Sequence, residues 1–171
     1  MSQYNLLEMK EKLKQELKAE RYEHTIGVMY TAAALAMKYG EDIEKALVAG
    51  ILHDCAKSVS TNLLHAKVGA QMAREVYGVE EESILNAISY HTTGRPKMTK
   101  LEKIIFVADY IEPNRKKAPN LKILRQVAFE DLERCVYMIT KATLEYLKQL
   151  GIEEIDPLTE ETYLYYKERM Q

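Results

Sequence analysis

Apolar residues recur at intervals of three and four through nearly the whole chain, and that period commits it to helices packed on one another. Leu6, Met9, Leu13 and Leu17 stand among charges between Tyr4 and Lys18, predicting a first amphipathic helix. A second is expected from about Glu20 to Tyr39, stopped by Gly40, which suits the left-handed turn past a helix end. Asp42 can cap a third, "IEKALVAGILHD", apolar nearly all round and therefore central. "SVSTNLLH" reads as a short loop leading to a fourth helix that ends at Gly78. A fifth runs from Glu80 to His91, with Ile84, Leu85 and Ile88 inward. "TTGRPKM" breaks it, Thr99 opens a sixth ("KLEKIIFVADYIE"), and Pro113 closes that one. Two more helical stretches, about Leu121 to Leu150 and Glu160 to Met170, are separated by "GIEEIDP". The β-branched run "KIIFVADYI" could be taken for a strand, but Ile104, Val107, Ala108 and Ile111 share a helical face. The expected fold class is all-α, a helical bundle.

No repeat, low-complexity tract or linker divides the chain, so residues 1–171 are expected to form a single domain, long enough to bury a core without disulfides. With 24 basic and 26 acidic residues the net charge is -2, too balanced to draw the chain to nucleic acid. Cys55 and Cys135 lie far apart, outside any C-x-x-C pair, which suits a reducing compartment. The first residues lack the apolar core of a signal peptide, and no apolar run approaches the roughly 20 residues that span a bilayer. A soluble cytoplasmic protein without membrane or nucleic-acid partners is expected.

"VAGILHDCAKS" is the stretch that asks for chemistry: an apolar helix ends in adjacent His53 and Asp54. Burying such a pair is costly unless each group is hydrogen-bonded, charge-paired or bound to metal. The chain has four histidines, His24, His53, His65 and His91, each near a predicted helix end or in an apolar context. Asp109 lies in an apolar helix beside Val107 and Ala108. Taken singly, each is a cap or a hydrogen-bonded half-buried group. Together, imidazoles and carboxylates form a donor set for iron, manganese, zinc or nickel, and bundles build metal sites from side chains projecting inward from facing helices. Neighbouring helical residues point about 100° apart, so His53 and Asp54 are not parallel ligands. At a helix end both can reach one site, with His53 on one ion and an oxygen of Asp54 for each of two.

The series His24, His53-Asp54 and Asp109 resembles the HD-domain superfamily of metal-dependent phosphohydrolases. "LHDCAK", "LLHAKVGA" and "ISYHTTGRPKMTKLEKIIFVADYIEPNR" together resemble the bacterial YqeK family. The resemblance implies an HD-domain bundle with its metal motifs over residues 24–109, completed by C-terminal helices over 121–171. It also implies symmetrical hydrolysis of diadenosine tetraphosphate to two ADP. By the same resemblance, His24, His53, Asp54 and Asp109 would hold one ion, and Asp54, His65 and His91 a second. The ions would be divalent or mixed-valent, iron first, with manganese, cobalt or zinc as alternatives. HD enzymes that degrade guanosine tetraphosphate carry an acidic pair shortly after His-Asp, where this chain has Cys55, Ala56 and Lys57. The cyclic-dinucleotide branch needs further histidines downstream, and none follows His91.

Two cations would offset the charge of a tetraphosphate and make water acidic enough to supply hydroxide; attack on an inner phosphorus then yields two ADP. Asp54 and Lys57 are the expected catalytic residues. Lys57, Thr92, Gly94, Arg95 and Arg115 are expected on the substrate, Arg115 through paired hydrogen bonds to phosphate. "NRKK" at 114–117 reads as a solvated charge run. Tyr163, Tyr165 and Tyr166 are assigned to packing or to contacts in a homodimer, and Cys55 and Cys135 to the core. The partner that the resemblance implies is a small nucleotide. The alternatives are an HD phosphohydrolase of mononucleotides and a metal-dependent nucleotide binder without turnover; the full set of six ligands argues against the second.

Overall fold

Side-chain caps set where most helices begin. Asn5 accepts a hydrogen bond from the Glu8 N–H and starts α1 (Leu6–Glu16), which is followed by α2 (Ala19–Tyr39). Asp42 accepts from the Lys45 N–H and starts α3 (Ile43–Leu52). After α4 (His65–Tyr77) and α5 (Glu82–Ser89), Thr99 and Glu102 form a reciprocal capping box that opens α6 (Lys100–Ile111). Gly40 (φ 65°) and Gly78 (φ 67°) end α2 and α4 in the left-handed conformation that a side chain disfavours. The computed structural model describes residues 3–61 and 64–171, so Asn62 and Leu63 of the expected loop before α4 lie outside the described residues. Among the described residues the secondary structure is entirely helical, the all-α class expected.

Several boundaries differ from the sequence reading, among them the end of α3, at Leu52 instead of Asp54. The stretch expected to run unbroken from 121 to 150 is two helices, α7 (Leu121–Ala128) and α8 (Leu132–Gln149). Asp131 takes an extended backbone (φ -148°) and its side chain accepts from the Arg134 N–H, so α8 has an N terminus of its own. The last helix, α9 (Pro157–Glu168), starts earlier than Glu160: Asp156 caps it and Pro157 occupies its first position, where a missing N–H costs nothing. Helix α5 stops at Ser89, which leaves His91 in the following turn instead of on the helix.

α3 and α6 are the central helices. α3 buries Ala46, Val48, Ala49, Ile51 and Leu52, and α6 buries Ile104, Ile105, Val107 and Ala108. Each fully buried Ile, Leu or Val contributes roughly 1.5–3 kcal/mol, enough together to carry polar groups at the ends of these helices. α2 lies close against α3: a Cβ added at Gly50 would stand 2.8 Å from Met29 Cα. Cys55 and Cys135 are buried as expected, and burial pushes both thiols up to about 12. Tyr166 is interior, its hydroxyl accepting from the Met98 N–H at 3.1 Å, and Tyr163 stacks on Tyr137. No described helix is long and apolar enough to cross a membrane.

Candidate metal centre

Five parts of the chain converge on one point. α2 supplies His24, the end of α3 supplies His53 and Asp54, the first residue of α4 is His65, the turn after α5 brings His91, and α6 brings Asp109. Two imidazoles are held the same way: His53 Nδ1 donates to Gly50 O at 2.8 Å, and His91 Nδ1 donates to Ile88 O at 2.7 Å. A ring whose Nδ1 carries the proton presents an Nε2 lone pair, the orientation that second hydrogen bonds impose on metal-binding histidines. His53 Nε2 is buried with no hydrogen-bond partner among the described residues. Leaving a buried polar atom in that state costs about 1–3 kcal/mol; a cation on the lone pair removes the cost.

The two oxygens of Asp54 face different neighbours. Oδ2 lies 3.5 Å from His53 Nε2, whereas Oδ1 lies 3.3 Å from His65 Nε2 and 3.5 Å from His91 Nε2. His65 and His91 approach each other through their Nε2 atoms at 3.2 Å. On the other side, Asp109 Oδ1 is 2.9 Å from His24 Nε2 and 3.6 Å from His53 Nε2. Two sets of donor atoms, His24/His53/Asp109 and His53/Asp54/His91, each lie within 4.8 Å of one another. Burial works against charge on His24 and His53, but the carboxylates around them outweigh it and raise both pKa values. Burial likewise disfavours charge on Asp54 and Asp109, and the imidazoles override it, holding both well below the usual carboxylate range. The donor set and the unpartnered nitrogen fit a divalent cation.

Residues 21–114 match the HD domain family. Relatives named "Bis(5'-nucleosyl)-tetraphosphatase, symmetrical" include one from Bacillus subtilis, 40% identical over 90% of this chain and 91% of its own length. Another, from Halalkalibacterium halodurans, is 42% identical over 88% of this chain and 91% of its own length. A crystal structure from Clostridium acetobutylicum, described as a predicted HD superfamily hydrolase involved in NAD metabolism, superposes with a TM-score of 0.91. That chain is 37% identical, with 97% of this chain and 98% of that one covered. The chain belongs to the YqeK family of HD-domain proteins. An HD domain together with this His/Asp cluster marks a site for divalent metal.

Around the YqeK-family centre, the residues expected on the substrate fall into two groups. Lys57 is half-buried in the turns that follow α3, its N–H donating to Asp54 O at 3.0 Å. Thr92 Oγ1 is 3.3 Å from His65 Nε2, and Arg115 donates from Nε and Nη2 to Asp109 O at 3.1 and 3.0 Å. Thr92 and Arg115 lie at the centre, and Lys57 adjoins it through its backbone bond to Asp54. Arg95 and Gly94 are engaged elsewhere. Arg95 forms a fork with buried Glu102 and lies over the Tyr90 ring at 4.3 Å, so its guanidinium serves the start of α6. Gly94 packs against α9, where an added Cβ would stand 2.7 Å from Thr162 Cγ2.

Beside His24 opens a cleft of about 720 Å³ whose lining includes Lys18, Arg21, Arg115, Lys116 and Lys117, with Glu20, Glu23 and Glu112 among them. The "NRKK" run borders this cleft: Arg115, expected on the substrate, is part of its wall, and Lys116 and Lys117 are exposed, as a solvated charge run would be. Sequence reasoning missed Arg21 and Glu112. Arg21 Nη1 lies 2.8 Å from Asp54 Oδ2, and buried Glu112 Oε1 accepts from His24 Nδ1 at 3.0 Å. Each stands three residues from a suspected ligand, Arg21 before His24 on α2 and Glu112 after Asp109 just past the end of α6.

Proposed function

We propose that this protein hydrolyses diadenosine tetraphosphate symmetrically, releasing two ADP. The observation that carries the proposal is the placement of Asp54, one oxygen toward His53 and the other toward His65 and His91, beside a cleft rich in basic side chains. In this reading one cation is held by His24, His53, Asp54 and Asp109, and a second by Asp54, His65 and His91. Bound there, divalent cations offset phosphate charge and make water acidic enough to serve as hydroxide near neutral pH. Iron is the first candidate, and the same donors accommodate manganese, cobalt or zinc.

The chain's own side chains orient the substrate. Arg115, held by the Asp109 carbonyl at the cleft wall, has donors for a phosphate oxygen, and Lys57 follows Asp54 closely enough to act on the same chain of phosphates. Thr92, beside His65, supplies a hydroxyl. ADP leaves as an anion that needs little protonation, so no strong general acid is required. The relatives' names support the symmetrical outcome, which demands attack at an inner phosphorus. Attack at an outer one would give AMP and ATP. A cytoplasmic location accords with the free thiols, and in this reading the HD domain matched over residues 21–114 is completed by the remaining helices into one domain.

Product analysis by anion exchange after incubation of the metal-loaded protein with diadenosine tetraphosphate tests the proposal. ADP as sole product is expected. ATP with AMP would refute inner-phosphorus attack. Phosphate release from mononucleotides with the dinucleotide left intact would refute the substrate.

A further inference from the structure

We propose that Glu112 is a positioning residue for the metal centre: it fixes the His24 ring through Nδ1, and the absence of a side chain at Gly27 makes this contact possible. The inference rests on the reading of His24 as a metal ligand.

Glu112 sits just past α6 and is 1% exposed. A carboxylate so deeply buried must be paired or hydrogen-bonded. Among the described residues no lysine or arginine pairs with it. Its Oε1 accepts from His24 Nδ1 at 3.0 Å, and its Oε2 accepts from the Asn114 N–H at 2.7 Å. Asp109 and Glu112 thus flank one imidazole, Asp109 at Nε2 and Glu112 at Nδ1. Two further ring nitrogens facing away from the site, His53 Nδ1 and His91 Nδ1, donate to carbonyls three residues earlier at a helix end. His24 lies inside α2, where backbone carbonyls are taken up by the helix, so its acceptor has to come from another element. A carboxylate in that place both holds the ring's orientation and strengthens the opposite nitrogen as a donor to a cation.

Gly27 stands three residues after His24 on α2. A Cβ there would lie 2.2 Å from Glu112 Oε2 and 3.1 Å from Cδ, so any other residue at 27 would displace the carboxylate. Glycine inside a helix weakens it relative to alanine, and here it leaves the space that the carboxylate fills. The backbone that presents Glu112 is held in turn by Arg125 of α7, which donates to Ile111 O, Glu112 O and Arg115 O at 2.8, 2.8 and 2.9 Å. The contact to His24 is therefore a fixed one.

The test is titration of the metal-free protein with Mn²⁺, reading free Mn²⁺ by electron paramagnetic resonance, for wild type, Glu112→Gln, Gly27→Ala and the double variant. Wild type is expected to bind in two steps. Glu112→Gln should weaken one step by about 10-fold or more and leave the step assigned to His65 and His91 unchanged. Gly27→Ala, which keeps the carboxylate but moves it, should weaken the same step. The double variant should be no weaker than the poorer single one, because both changes remove one contact. Two wild-type steps with no change in either single variant would overturn the inference alone. Equal weakening of both steps would assign Glu112 a general structural role and overturn it too. Failure of the wild-type protein to bind Mn²⁺ would overturn the metal reading and this inference with it.

Discussion

Replacing Gly50 by alanine sets two effects of opposite sign against each other. Inside α3, alanine is favoured over glycine by roughly 0.8–1 kcal/mol of helix propensity. Against that gain, the new Cβ would lie 2.8 Å from Met29 Cα, 3.2 Å from Met29 N and 3.4 Å from Val28 O. These are backbone atoms of α2, so no rotamer change relieves the contact and the two helices must move apart. Overpacking costs typically about 1–3 kcal/mol, backbone shifts included, and a clash with helix backbone atoms belongs in the upper part of that range, about 2–3 kcal/mol. The clash wins, with a net loss of about 1–2 kcal/mol once the propensity gain is subtracted. At roughly 2–4 °C per kcal/mol for a chain of this size, Tm should fall by about 2–8 °C. The shift also reaches the metal site, because Gly50 O is the acceptor that orients His53. Calorimetry of the metal-free variant beside wild type measures the first effect. A Tm equal to or above wild type would refute the close α2–α3 approach on which the reasoning stands.

Other perturbations separate the roles of individual side chains. Asp54→Asn should abolish turnover and lower the metal retained after desalting, with helical content by circular dichroism unchanged; full activity would remove Asp54 from the centre. Arg115→Met should lower kcat/KM about 10-fold or more, as expected for a lost charged hydrogen bond of about 1.5–3 kcal/mol, whereas Arg95→Met should lower Tm by freeing buried Glu102 and leave KM near wild type. The reverse pattern would exchange their roles. Cys135 and Cys55, with pKa values pushed up to about 12 by burial, should react with a thiol reagent at pH 8 only after unfolding; rapid labelling of the native protein would show that these thiols are accessible.

What was legible in the sequence follows from how far apart the deciding residues lie. Asp42 and Thr99 announce helix starts because a cap acts within three residues of itself. The break at Asp131 is hidden for a physical reason: Leu124, Val127 and Ala128 before it and Leu132 and Cys135 after it keep apolar spacing across the gap, so periodicity runs straight through. Asp156-Pro157 did carry a local start signal, which the glycine and acidic residues before it obscured. The six donor residues stood out because histidines are few and the His-Asp pair ends an apolar helix. Arg21 and Glu112 did not, since each looks like an ordinary surface charge until its neighbour one turn away is read as a ligand. The pairing of Arg95 with Glu102 was illegible, because it depends on how the turn after α5 folds back on the start of α6.

The central claim is that one carboxylate, Asp54, serves two cation sites. Diffraction from crystals grown with Mn²⁺, measured on both sides of its absorption edge, locates the ions directly. Two anomalous peaks are expected on either side of Asp54, one beside His24 and Asp109 and one beside His65 and His91. A single peak, or two peaks of which only one touches Asp54, would contradict the shared-carboxylate centre.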